Sequence, residues 1–286
     1  MDFRVRASTV RPTPRIAWLG DSTVEELALS RGQAESLAEV VDADGGPWHG
    51  PPPTLAVLAA HRPARWTLPE AVAVSRRWPL APLVTVTTSL ADGRRRSGPW
   101  LPGVEEVPWH DFAGRLAWWL VELAAGRAGS LGLPATARRE ERHSDSAARV
   151  RAVVAEAGGP ATVSVAGACR TAVEGTADLV VAAGFPVVGR TRGRPRLDDP
   201  ADVVVWDTAA PAGSDLAWLG MLAANQPGRG IVLLDSFPRG DTARLALRAG
   251  AAAVLGRPAG LEALAGTLLR LQNRADTALG AADQPG

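Results

Sequence analysis

The sequence predicts an α/β protein made of two doubly wound parallel-sheet domains, and three observations carry that expectation. Short apolar runs such as Ile16-Ala17-Trp18-Leu19, Val203-Val204-Val205-Trp206 and Ile231-Val232-Leu233-Leu234 lack polar alternation, the profile of strands buried on both faces. These runs alternate with stretches of helical apolar spacing, the order that folds into a parallel sheet. The alternation occurs twice, before and after the Gly-, Pro- and charge-bearing stretch Gly126 to Ser146, and 286 residues are enough for two separate cores.

Taken in order, Arg15 to Leu19 is a first buried strand, closed by Gly20-Asp21-Ser22. A helix is expected over Val24 to Val41, with Val24, Leu27, Leu37, Val40 and Val41 near helical spacing. Gly45 to Pro53 reads as a loop, Thr54 to Ala60 as a strand, Leu68 to Trp78 as a helix and Leu83 to Thr88 as a strand. The turn-rich loop Ala91 to Gly103 leads to a short strand, Val104 to Val107, and a helix, Phe112 to Ala125. The expected division is a first domain over 15–125, a linker over 126–146, a second domain over 147–273 and a tail over 274–286. The second domain restarts with a helix from Ala147 to Ala157, a strand over Ala161 to Val165, a helix over Thr171 to Ala183 and a short strand near Val187-Val188. Three apolar runs follow, Val203 to Trp206, Ile231 to Leu234 and Ala251 to Leu255, separated by helices over Leu216 to Asn225 and up to Arg248-Ala249-Gly250. Ligands of such sheets meet the carboxyl ends of the strands, so Asp207, Asp235, Ser236 and Arg257 are expected at one edge.

Composition narrows the function. Basic and acidic residues balance, 31 against 30, so no global field draws the chain to nucleic acid or membrane. Every cation apart from histidine is arginine; the abundance of Ala, Gly, Pro and Arg reflects GC-rich coding and inflates chance matches to Arg/Gly/Pro motifs. Cys169 is the only cysteine, which excludes an internal disulfide and a four-thiolate metal site. The arginine-bearing segment Met1 to Arg15 has no apolar core, and no apolar run approaches membrane-spanning length. A cytoplasmic protein without membrane contact is expected.

The stretches VVVWDTAAP (203–211), IVLLDS (231–236), LRAGAAAVLGRP (247–258) and LEALAGTLLRLQ (261–272) resemble the receiver domain of bacterial response regulators, a flavodoxin-like module. The resemblance implies that Asp207 matches the phosphoacceptor aspartate, Asp235 or Ser236 the hydroxyl position, and Arg257 the lysine before proline. It also implies where the pattern is broken. Two acidic residues hold Mg²⁺ after the first strand of the family, whereas Thr162 to Val165 is followed here by Ala166-Gly167. One aspartate is a poor magnesium site, and arginine is a planar fork rather than a point charge. In the first half, the same alignment puts Asp21 in one acidic position, Ala59 at the phosphoacceptor and Thr87 at the hydroxyl position, with nothing for the lysine. A degenerate, pseudo-receiver pair is therefore expected, with no cofactor, no metal and no catalysis.

Three other motifs compete. Gly20-Asp21-Ser22 resembles the nucleophile block of GDSL-type esterases, which makes Ser22 a candidate nucleophile and the chain a hydrolase. That chemistry also needs a base and a donor pocket. The Gly-x-Asn-Asp block and the Asp-x-x-His pair are both missing, and helix capping by Asp21 or Ser22 is the plainer reading. Arg190 to Arg196 (RTRGRPR) contains the Arg-Gly-Arg-Pro core of an AT-hook, so Arg192, Arg194 and Arg196 are candidates for nucleic-acid contact, against a solvated basic loop. The loop carrying Arg94, Arg95, Arg96 and Trp100 follows the fourth strand and should overhang the carboxyl edge, where arginine and tryptophan suit an acidic or phosphorylated protein partner. A regulatory or scaffolding protein whose partners are other signalling proteins is expected, with a nucleic-acid regulator and a Ser22 hydrolase as alternatives; no oligomeric state follows from the sequence.

Overall fold

A computed structural model describes residues 13–44, 46–91, 101–132, 139–156 and 160–282. The first sheet is formed by β1 (Arg15–Leu19), β2 (Glu39–Asp42), β3 (Leu55–Ala60), β4 (Leu83–Thr87) and β5 (Glu105–Pro108) in the order β2-β1-β3-β4-β5, all parallel. The second is formed by β6 (Val163–Gly167), β7 (Val187–Arg192), β8 (Val203–Ala209), β9 (Gly230–Asp235) and β10 (Ala253–Gly256) in the order β10-β9-β8-β6-β7, again parallel. Counted within each half, both orders are the 2-1-3-4-5 of flavodoxin-like folds. The doubly wound, receiver-like architecture expected from the alternation of runs is present twice.

Burial explains the central strands. Every residue of β3, β4, β6 and β9 is buried, because helices cover both faces and leave no side facing solvent. The edge strand β7 instead alternates between half-buried and exposed residues. The helices of the first half are α1 (Glu25–Glu35), α2 (Leu68–Arg77) and α3 (Trp109–Ala124). A reciprocal cap starts α2, where Thr67 Oγ1 accepts from Glu70 N and Glu70 Oε2 accepts from Thr67 N at 2.8 Å. Those of the second half are α4 (Arg139–Glu156), α5 (Arg170–Ala182), α6 (Gly213–Asn225), α7 (Gly240–Arg248) and α8 (Leu261–Ala282).

Three boundaries differ most from the expectation. The helix expected over Val24 to Val41 ends at Glu35, and Val40 and Val41 belong to the edge strand β2. Two adjacent β-branched residues fit helical spacing by accident, and pairing with β1 decides their state. The helix expected from Ala147 begins at Arg139, with a polar first part that reads as linker in sequence. The closing helix continues beyond Gln272 to Ala282.

The two halves share one core. A single apolar cluster runs from the α1/α3 face of the first sheet, through Phe112, Leu116, Trp118 and Trp119, to Leu264 and Leu268 and on into the second sheet. A smaller cluster, with Trp66, Val74 and Trp78, fills the α2 face of the first sheet. At the crossing of α3 and α8 stand Gly114 and Gly266, each the sixth residue of its helix. A Cβ on Gly114 would run into the Ala263 carbonyl, and one on Gly266 into the Gly114 carbonyl, so the backbones touch directly. Arg115 Nη1 bridges the junction to Glu262 Oε2 at 3.0 Å, and Ser146 of α4 donates to the other oxygen of Glu262. Arg244 of α7 pairs with Glu25 of α1 at 2.9 Å, and the α7 N-terminus at Gly240 abuts Glu25 and Glu26. Helix N-termini lie at the carboxyl edge of such a sheet, so contact between the α1 and α7 N-termini puts both carboxyl edges on one side of the molecule.

Candidate functional site

The carboxyl edge of the second sheet gathers the residues singled out there. Asp207 sits in β8 opposite Gly167 of β6 and Leu234 of β9, and only 2% of it is exposed. Arg257 Nη1 lies 3.1 Å from Asp207 Oδ1. The guanidinium approaches off the hydrogen-bond direction, so Oδ1 is left with a counter-charge but no hydrogen bond. The pair is therefore a close charge contact and not a hydrogen-bonded bidentate fork. Thr176 Oγ1 reaches Oδ2 at 3.5 Å, the limit of a hydrogen bond. Burial pushes the Asp207 carboxyl above the usual carboxylate range, and Arg257, the Ala209 amide and Thr176 oppose that push.

The rest of the edge is fastened by backbone. Arg257 N donates to Asp235 O at 2.8 Å and Ser236 N to Ala209 O at 2.7 Å, which brings Asp235, Ser236 and Arg257 around the end of β8. The Asp235 side chain is buried and accepts from Phe237 N at 3.0 Å, closing the turn into α7, while Ser236 is exposed. The β8–β9 pairing slips by one residue between Asp207 and Ala209, and Ala209 takes a positive φ of 61°. Cys169 is exposed at the start of α5, at the same edge.

A magnesium ion, implied by the receiver resemblance, does not fit these residues. Ala166 and Gly167 supply no oxygen side chain where the family has two carboxylates. A Cβ on Gly167 would stand 3.3 Å from Val173 Cγ2 and 3.4 Å from Asp207 Cβ, so the strand end is closely packed where the family has an acid. Of the two carboxylates at this edge, Asp207 is paired with Arg257 and Asp235 accepts from Phe237 N. Among the described residues there is no group of three or more His, Cys, Asp or Glu side chains placed to hold a metal ion.

The corresponding edge of the first sheet is filled. Ala59 is fully buried, and Trp66 Nε1 donates to its carbonyl at 2.9 Å, with the indole 8% exposed. Arg65 covers that ring at 4.3 Å. A Cβ on Gly20, whose φ is +101°, would stand 2.7 Å from Ala59 O and 3.2 Å from the Trp66 ring. Thr87 is buried and donates to Val107 O at 3.3 Å. Both oxygens of Asp21 accept from Thr23, N and Oγ1, at 2.8 Å each, and these bonds hold its carboxyl below the ordinary range. Ser22 has no hydrogen-bond partner among the described residues, so nothing there activates it as a nucleophile.

The Arg-rich stretch lies along the edge strand and the loop after it. Arg190 and Arg192 belong to β7, four residues beyond the expected Val187-Val188, and Arg190 Nε stands 3.3 Å from Glu174. Arg194 bonds Asp215 at 3.0 Å and Ser214 at 2.7 Å, and Arg196 makes two bonds to Asp198 at 2.9 and 2.8 Å. Arg192 is exposed and has no ion pair among the described residues. Arg94, Arg95, Arg96 and Trp100 lie outside the described residues.

Two residues at the site carry no signal in the sequence. His110 and Asp111, in the first turn of α3, meet the end of β10: Gly256 N lies 3.1 Å from His110 Nδ1 and 3.3 Å from Asp111 Oδ1. Only the docking of the two halves brings them there.

No family model matches the chain, and no curated protein does. Among solved structures it is similar to a pilus assembly-related protein of Burkholderia pseudomallei, 25% identical over 41% of this chain and 92% of that one, with a TM-score of 0.37. It is also similar to the receiver domain of a Francisella response regulator, 16% identical over 41% of this chain and 98% of that one, with a TM-score of 0.34. A third is the anti-anti-sigma factor PhyR of Bartonella quintana, 12% identical over 60% of this chain and 70% of that one, with a TM-score of 0.38.

Proposed function

We propose that the chain is a cytoplasmic, non-catalytic regulatory or scaffolding protein of two-component-type signal transduction, in which two pseudo-receiver domains, 15–125 and 147–273, act through contacts with other signalling proteins. The observation that carries this reading is the second carboxyl edge. The carboxylate at the phosphoacceptor position, Asp207, is buried beside Arg257, and positions 166 and 167 carry no acid. Receiver phosphorylation needs Mg²⁺ to neutralise charge on the phosphoryl group in transfer, and that requirement has no ligands to meet it. The first domain points the same way, since Trp66 occupies the place above Ala59.

Under this reading, regulation passes through surfaces, and the loop of Arg94, Arg95, Arg96 and Trp100 is the proposed partner contact. Affinity capture from the native cell, with the full chain and with a chain lacking Ala91 to Gly103, tests it. A signalling protein retained by the first and lost by the second is the expected result. Identical captures would remove the loop from the account. A salt-dependent preference for A·T-rich duplex over mixed duplex, abolished by Arg192→Ala, would transfer the function to nucleic acid.

A further inference from the structure

We propose that the first domain is a built-in clamp on the second domain's site: His110 and Asp111 hold the turn after β10 where it keeps Arg257 against Asp207. This rests on the pseudo-receiver reading of that edge and adds how the edge is controlled.

The links are consecutive. Gly256 is the last residue of β10, and its N–H faces two acceptors of the first domain, His110 Nδ1 at 3.1 Å and Asp111 Oδ1 at 3.3 Å. His110 Nδ1 and Asp111 Oδ1 are themselves 2.9 Å apart. A ring nitrogen cannot donate to Asp111 and accept from Gly256 at once, so the amide bonds to the imidazole when Nδ1 is bare and to Asp111 when Nδ1 carries the proton. Either way the acceptor belongs to α3. The fit is close enough to require glycine, since a Cβ on Gly256 would overlap the His110 ring, with Nδ1 at 2.8 Å. The next residue is Arg257, whose N–H bonds Asp235 O at 2.8 Å and whose guanidinium lies 3.1 Å from Asp207. The turn is thus held from β9 on one side and from the first domain on the other.

The frame around these links is stiff. The backbone contact of Gly114 with Gly266 and the Arg115–Glu262 pair, whose glutamate side chain is 5% exposed, fix α3 on α8 at the same turn. A displacement of α3, by a partner bound to the first domain, therefore pulls on Gly256 and releases Arg257 from Asp207. The first domain has no usable acceptor site of its own, and this arrangement gives it a task.

Hydrogen exchange and carboxyl-carbon NMR on the full chain test the clamp. The double variant His110→Ala/Asp111→Ala removes both acceptors, and Arg257→Ala marks complete release. In the double variant the Gly256 and Arg257 amides should exchange at least tenfold faster than in the parent chain. The Asp207 carboxyl, raised by burial and held down in part by Arg257, should titrate higher than in the parent and toward its position in Arg257→Ala. If circular dichroism shows that the double variant does not fold, His110→Phe/Asp111→Leu, which keeps the side-chain volume but carries no acceptor, is read in the same way. Faster exchange at Gly256 with an unmoved Asp207 titration would overturn the clamp, because the contact would be lost while Arg257 stayed in place. Phosphate uptake by the parent chain would overturn the pseudo-receiver reading and leave this coupling standing.

Discussion

Asp207 is a carboxylate buried with one counter-charge and one oxygen left without a hydrogen bond, so its charge is held at the expense of stability. Arg257→Ala should destabilise the chain by about 1–3 kcal/mol at neutral pH, because it leaves a charged acceptor uncompensated. In an Asp207→Asn background the same substitution should have an effect below about 0.5 kcal/mol, and a double-mutant cycle in urea measures the difference. The pH dependence follows from the direction of the shift. The carboxyl is raised above its ordinary 3.8, so over the interval just above that value the native state keeps a proton that the unfolded chain has lost. Stability therefore falls as pH rises through that interval, and the charge is fully unfavourable above it. Asp207→Asn should gain on the parent chain as pH rises there, and urea midpoints measured from acid to neutral pH check it. The meeting of Asp207 with Arg257 was legible in the sequence, because strand order alone brings the ends of β8 and β10 to one edge. The Trp66 plug was not, since a tryptophan in a loop gives no sign of which carbonyl it will reach.

At the scale of elements, the α3–α8 crossing depends on two glycines that helix propensity disfavours. Gly266→Ala should lose about 1–3 kcal/mol through overpacking, even though alanine recovers up to about 1 kcal/mol of propensity. Gly32, inside α1 with nothing within 4 Å of a built Cβ, is the matched control. Gly32→Ala should stabilise by about 0.5–1 kcal/mol, and thermal melts of the two variants should move in opposite directions. The strands and helices were largely readable from the length of the apolar runs and their flanking turns. The edge strand β2 was hidden because Val40 and Val41 continue the apolar spacing of α1, and only pairing to β1 makes them a strand. The start of α4 was hidden because a polar first part has no apolar face to announce a helix.

For the whole molecule, the shared core sets the expectation. Apolar side chains of both halves pack in one cluster through Trp118, Trp119, Leu264 and Leu268, so neither half keeps its buried surface when the other unfolds. Denaturant unfolding should follow one transition, coincident by far-UV circular dichroism and tryptophan fluorescence. Two separated steps would mean that the junction is weaker than its packing implies. The doubling of the fold was visible in sequence as a repeated alternation, whereas its docking was not, because the apolar residues of α3 and α8 do not show which helix they will meet and the glycines and first-turn polar residues at the crossing have no pattern of their own. The central claim, that this pair of receiver-like domains does not take up phosphate, is tested most directly by mass spectrometry after incubation with acetyl phosphate and Mg²⁺. The unaltered mass is the predicted result. Stoichiometric, acid-labile phosphate that disappears in Asp207→Asn would contradict it.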